Sequence, residues 1–151
     1  MTPSPDGTAT TLSKTFSRTT QVATTIKASP ASVWHVLTTA ADYPRWNSTV
    51  VSLDGEIKPG STIRLVSTLD PGRTFKLKVH EFEPSRRLAW GDALGTRVFT
   101  LTETNGGQTL FEMNERIGGP VFPLFASKIP SFEASFERFA ADLKAAAETV
   151  R

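Results

Sequence analysis

Three side chains of this sequence could do polar chemistry together: Asp92, Arg97 and Glu115. A guanidinium flanked by carboxylates can orient a carbonyl or carboxylate through its forked N–H donors, or supply electrostatic and acid–base groups. Whether the three meet depends on strand register. Between Phe99–Leu101 and Phe111–Met113 the turn is TNGGQ, and the apolar residues of both strands carry odd numbers. Facing pairs must then sum to an even number, because a one-residue slip would turn every side chain to the other face. A three-residue loop, Asn105-Gly106-Gly107, pairs Thr104 with Gln108 and fits a hairpin with a glycine bulge. It aligns Leu101 with Phe111, Phe99 with Met113, and Arg97 with Glu115. On the other side, a two-residue Leu94-Gly95 loop aligns Trp90 with Phe99 and Asp92 with Arg97. The three polar side chains then lie side by side on the inner face of adjacent strands. Two readings fit this arrangement: a polar end to an otherwise apolar cup, or an ion-pair cluster at the sheet rim. Clusters of the second kind contribute little individually.

Other chemistry is sparse. His35 sits on a helix at a position its apolar stripe leaves toward solvent, and His80 alternates with the inward residues of its strand. Neither has a carboxylate or a second histidine at metal-ligand spacing. The chain has no cysteine, which removes disulfides, thiolate nucleophiles and soft metal sites. No serine stands in a nucleophile turn, and Gly106-Gly107 and Gly118-Gly119 read as turns rather than phosphate loops. No metal and no cofactor are implied, and Asp92, Arg97 and Glu115 are the sole catalytic candidates.

Periodicity gives the scaffold that holds these residues. SRTTQVATTIKAS alternates, with Val22, Thr24, Ile26 and Ala28 on one face of a strand. Ser29 then offers an N-cap with Pro30 at the first helical position, and Val33, Trp34 and Leu37 form an apolar stripe. That helix stops near Ala40, and ADYPRWN has room for one more helical turn before the chain extends. From Ser48 to Gly119 the pattern has period two with turn signals between, giving six strands joined too closely for parallel crossovers. The clearest, RTFKLKVHEFEP, turns Phe75, Leu77 and Val79 away from Thr74, Lys76, Lys78 and His80. A bulge at His80-Glu81 brings Phe82 back to the apolar face. PVFPLFASKIP holds three prolines and reads as a kinked helical piece or a hydrophobic loop, serving as a gate or as a staple for the terminal helix. In SFEASFERFAADLKAAAETV, Phe132, Phe136, Phe139, Leu143 and Val150 share one helical face, with Glu133, Glu137, Lys144 and Glu148 off it.

The expected fold is therefore α+β: a curved, antiparallel, seven-stranded sheet wrapped around a long C-terminal helix, with two short helices after the first strand. Charged alternates such as Lys76 and Lys78 make one sheet face wet; the other needs the terminal helix as its cover. Trp34 and Trp46 would plug one end of the space between them. The residues expected to line a ligand site there are Trp46, Leu65, Phe75, Leu77, Trp90, Arg97, Phe99, Phe111, Met113, Phe125, Phe132 and Phe136. Ten phenylalanines against one tyrosine describe an apolar lining short of hydroxyl donors.

Composition bounds the rest. A chain of 151 residues is the usual size of one domain. With 38% hydrophobic and 21% charged residues it has the balance of a globular protein. A net charge of +2, a pI near 9.2 and no basic block beyond Arg86-Arg87 argue against a nucleic-acid partner. No apolar run approaches the roughly 20 residues that span a bilayer. Residues 1–15 are rich in Thr, Ser, Pro and Gly and read as a flexible leader without a signal-peptide pattern, leaving 16–151 as one domain of expected cytoplasmic location. Oligomeric state is not legible.

The element order, with ASPASVWHVLTTAADYPRWNSTV and the ending FERFAADLKAAAE, resembles the helix-grip (SRPBCC, START-like) superfamily. That group includes START-type lipid-binding domains, bacterial polyketide cyclases/dehydrases, pollen-allergen-like proteins and chaperone-activator domains. Ile26, Ala28, Pro30, Val33-Trp34, Leu37, Tyr43 and Trp46-Asn47 match its first strand and helix pair, and Gly60, Leu143 and Glu148 match its loop glycine and last helix. The resemblance covers about residues 17–150 and implies a fold more than an activity. It implies a bound hydrophobic small molecule or lipid-like metabolite. The alternatives it carries are a cyclase/dehydratase-like enzyme using Arg97, Glu115 and Asp92, and a protein-interaction module of the chaperone-activator kind.

Overall fold

In the computed structural model, which describes residues 3–149, eight antiparallel strands form one sheet in the order β1-β2-β8-β7-β6-β5-β4-β3. The strands are β1 (Thr10–Ser13), β2 (Ser17–Ile26), β3 (Val50–Asp54), β4 (Thr62–Ser67), β5 (Phe75–Glu83), β6 (Arg87–Gly91), β7 (Gly95–Thr104) and β8 (Gln108–Gly118). The six expected strands from β3 to β8 form a meander, and β2 closes it by pairing with β8. The expected count of seven is one short. Residues 10–13, within the segment expected to be a flexible leader, add an edge strand to β2, and Asp6 bridges to Thr24. Thr and Ser bury little apolar area, but an edge strand needs chiefly backbone partners, and β2 supplies them. The Ala9 N–H also donates to Glu137 at 2.9 Å, tying this segment to the terminal helix.

Four helices accompany the sheet: α1 (Pro30–Thr38), α2 (Tyr43–Trp46), α3 (Phe122–Phe125) and α4 (Glu133–Thr149). Helix α1 begins as its sequence dictates, with the Ser29 side chain accepting from the Ser32 N–H and Pro30 in the first turn, where its missing N–H costs nothing. A 3-10 turn over Ala40–Asp42 leads into the single turn of α2. Helix α4 buries Phe136, Phe139, Ala140 and Leu143 against the sheet, while Phe132 is half-buried; Val150, expected on the same stripe, lies outside the described residues. Its polar side binds the sheet edge: Lys144 donates to the Thr25 carbonyl at 3.0 Å and to Glu148, which also accepts from the Lys27 N–H at 2.8 Å. The Lys144 hydrogen bond, then the Lys27 amide, holds the Glu148 carboxyl below the usual carboxylate range. None of the described helices is long and apolar enough to cross a membrane.

Register places the core. Phe82, Leu88, Phe99, Met113 and Val22 form one cross-strand row, and Leu101, Phe111 and Thr24 another. These rows form the inner face of the sheet, where the Phe139 ring of α4 lies 5.7 Å from Phe99 and 6.4 Å from Phe111 between centroids. The register between β5 and β6 shifts between Val79 and Glu81, the bulge expected there, and Phe82 returns to the core edge-on to Trp34 at 5.2 Å.

Tyr43 closes the core beneath α2. It is fully buried, its hydroxyl donates to the Leu37 carbonyl at 2.5 Å, and its ring meets Trp46, Trp90 and Phe139. Burial pushes the phenol well above the ordinary tyrosine range, with the Arg97 charge working weakly in the opposite sense. A raised native pKa means that its contribution to stability is complete below about pH 10, the unfolded value, and is lost as pH rises past it. As this is the chain's one tyrosine, phenolate absorbance in an alkaline titration is expected to appear together with unfolding. Ionisation near pH 10 with the far-ultraviolet circular dichroism intact would contradict that burial.

Candidate functional site

A cross-strand row one step along from the core carries the polar residues: Val79 faces Trp90, Trp90 faces Arg97, Arg97 faces Glu115, and Glu115 faces Thr20. The pairing of Arg97 with Glu115 is the one expected from the parity of β7 and β8. Arg97 Nε donates to Glu115 Oε1 at 2.6 Å, and both side chains are 18% exposed. The guanidinium carbon stands 4.9 Å from the Phe136 ring centroid and 5.8 Å from that of Phe139, so the charge rests against α4. Among the described residues, no hydrogen bond from its two terminal nitrogens is found.

Asp92 does not join this pair. The β6–β7 register is two residues away from the expected one: Trp90 faces Arg97, Leu88 faces Phe99, and the loop is Ala93-Leu94 rather than Leu94-Gly95. Asp92 Oδ1 instead accepts from the Leu94 and Gly95 N–H groups at 2.9 and 3.1 Å, an Asx turn that closes the hairpin. The tight turn also requires glycine at position 91, since a Cβ there would lie 2.3 Å from the Gly95 carbonyl oxygen.

The row opens onto a cleft of about 370 Å³ between the sheet, the β4–β5 loop and the chain leading into α4. Of the residues expected to line a ligand site, Leu65, Phe75, Leu77, Trp90, Arg97 and Phe132 border it, as do Asp92 and Glu115. Phe99, Phe111, Met113 and Phe136 do not. They are fully buried and fill the core, because α4 brings Phe136 and Phe139 down onto the strands. Trp46 packs on Tyr43 and Phe139 instead, and Phe125 packs edge-on to Phe122 at 5.7 Å. His35 and His80 are exposed.

The cleft also takes residues that sequence reasoning misses. Thr49, Ser67 and Ser135 bring hydroxyls to a lining expected to lack them, and Asp70, Arg73 and Lys128 bring charge. Arg73 lies over the Phe75 ring at 4.5 Å. The sequence signal for this group is the DPG turn at Asp70–Gly72, which ends a hairpin whose inward residues, Leu65 and Phe75, the alternation does identify. On the opposite rim, PVFPLFASKIP forms α3 and a 3-10 turn over Ala126–Lys128. Arg18 of β2 donates to the Ile129 and Pro130 carbonyls at 3.3 and 3.0 Å and stands over Phe132 at 5.4 Å.

A curved antiparallel sheet holding one long terminal helix, with short helices after the first core strand, is the helix-grip, START-like architecture. The family model for polyketide cyclase / dehydrase and lipid transport matches residues 15–148, and the chain belongs to that family. Among solved structures, a conserved protein of unknown function from Enterococcus faecalis superposes with a TM-score of 0.69 at 20% identity, over 93% of this chain and 77% of that one. A START superfamily protein from Mycobacterium smegmatis gives 0.65 at 14% identity, over 88% and 99%. DynU16, from the dynemicin biosynthetic locus, gives 0.63 at 21% identity, over 85% of this chain and 46% of that one. Likenesses at this identity establish the fold alone. No curated protein sequence matches the chain.

Proposed function

We propose that this protein binds a hydrophobic small molecule or lipid-like metabolite in the cleft beside Trp90 and Phe132, with Arg97 orienting an acceptor oxygen of the guest. The observation that carries this reading is one concave site in which an apolar wall meets a guanidinium whose terminal nitrogens have no described protein acceptor. Its volume of about 370 Å³ falls in the range of small-molecule pockets, ~300–1,000 Å³. Apolar contact supplies affinity at about 25 cal/mol per Å² buried, and the forked guanidinium supplies direction. The family description, which joins cyclases with lipid transport, is compatible with such a guest. A catalytic reading is less well served: Asp92 is committed to its own turn, and Glu115 is held by Arg97. The protein-partner reading keeps one favourable observation, the exposure of Val121 and Leu124 beside α3.

Native mass spectrometry of protein purified from its own host tests the proposal. The expected result is a retained small molecule released on denaturation, and loss of that mass when Leu77→Trp fills the cleft wall. Protein free of any adduct, together with no uptake of a neutral apolar dye such as Nile red, would overturn it.

A further inference from the structure

We infer that the guest of this cleft presents an uncharged acceptor, a ketone, ester or quinone-type carbonyl, to Arg97, and that carboxylates are rejected there. This rests on the binding reading above and narrows it. The argument is one of charge. Glu115 already neutralises Arg97 through its Nε, at 2.6 Å, and both side chains are largely withdrawn from water. The two terminal nitrogens still carry four N–H groups to donate, but the pair as a whole carries no net charge. A carbonyl oxygen accepting from that edge leaves the floor neutral. A carboxylate would bring a second anion close to Glu115 and leave one uncompensated negative charge where water is scarce, which is costly.

The rest of the lining does not change this. Arg73, Arg97 and Lys128 are matched in number by Asp70, Asp92 and Glu115, so the cleft holds no surplus cation to receive an acid at its floor. The guanidinium carbon also stands over the Phe136 and Phe139 rings, so α4 occupies that side of Arg97 and the guest meets it from the cleft. Trp90, directly across from Arg97 on β6, borders the same space and supplies an apolar surface for a flat or extended body attached to the carbonyl.

Two ligands of nearly equal shape separate the alternatives: 2-acetonaphthone, a neutral ketone, and 2-naphthoate, its carboxylate counterpart. A chain pair, 2-tridecanone and dodecanoate, repeats the comparison for an extended body. Calorimetric titration of the intact protein at pH 7 is expected to show each ketone binding at least about tenfold more tightly than its acid, the selectivity of roughly one screened charge–charge contact. Glu115→Gln, which keeps an acceptor for Nε but removes the charge, is expected to raise naphthoate affinity about tenfold relative to the ketone, closing the gap between the two. Acids binding the natural protein as tightly as the ketones would overturn the inference and leave the binding proposal standing. A preference for ketones unmoved by Glu115→Gln would overturn its assignment to the Arg97–Glu115 floor. Failure of all four ligands to bind, with protein free of any adduct and no uptake of Nile red, would overturn both. The natural-protein comparison needs no substitution, so it stands even if the variant folds poorly.

Discussion

Replacing Phe139 with alanine is expected to lower the unfolding free energy by ~3–5 kcal/mol, the cost of removing a large ring from a core that cannot collapse around the space. Phe139 is 1% exposed and sits where four parts of the molecule meet. Its ring centroid lies 6.3 Å from Tyr43, 5.9 Å from Trp46, 5.7 Å from Phe99 and 6.4 Å from Phe111, and Arg97 stands over it at 5.8 Å. Those partners belong to α2, to the two longest strands of the meander and to the candidate site. Truncation therefore loosens the grip of α4 and the seat of the guanidinium at once. Urea unfolding followed by circular dichroism checks the magnitude. A loss below about 1 kcal/mol would mean that the aromatic cluster is not the centre of the core.

The second large effect belongs to Arg97 and Glu115. Arg97→Met alone leaves the Glu115 carboxylate mostly buried without its cation, and is expected to cost up to about 3 kcal/mol of stability. Replacing both, as Arg97→Met with Glu115→Leu, removes the uncompensated charge and is expected to recover most of that loss, since an apolar pair of similar volume often does as well as an ion pair withdrawn from water. The same double variant should lose affinity for any ligand that uses Arg97, by about 1.5–3 kcal/mol for a hydrogen bond from a charged donor. Stability restored with binding lost would identify the pair as a feature kept for recognition. A double variant as unstable as the single one would identify it instead as part of the scaffold. Denaturant unfolding of the four-member cycle, with ligand titration of each soluble member, reads both quantities.

Much of this architecture is legible in the sequence because two periodicities coexist in the chain without overlap. The β7–β8 register can be derived outright: the bulged glycine hairpin fixes the pairing sum, and only an even sum keeps the odd-numbered residues together, so Arg97 stands opposite Glu115. The β6–β7 register cannot be decided in that way. The two-residue loops Leu94-Gly95 and Ala93-Leu94 both give an odd sum and both put Trp90 on the inner face; what separates them is local chemistry, the Asp92 carboxylate capping two amides and the close approach that only Gly91 permits. Hydrophobic pattern says which face a residue takes, not how deeply it is covered. Hence Phe99, Phe111, Met113 and Phe136 face inward as their pattern requires, yet meet at the interface of the sheet with α4, away from the cleft. The strand at Thr10–Ser13 escapes the pattern for a related reason, since the force that orders it is a backbone ladder and leaves no mark in the residue types. Arg73 lies in an irregular loop and Lys128 in a short 3-10 turn, where no sustained period points to the side they face.

The hold on the chain beside the cleft has a consequence of its own. Arg18 grips Ile129 and Pro130 by their carbonyl oxygens and stands over Phe132, so one side chain of β2 fixes both the backbone and the ring of the chain entering α4. Displacing this rim would mean breaking both hydrogen bonds to β2, so the segment entering α4 is coupled to the sheet beside the cleft.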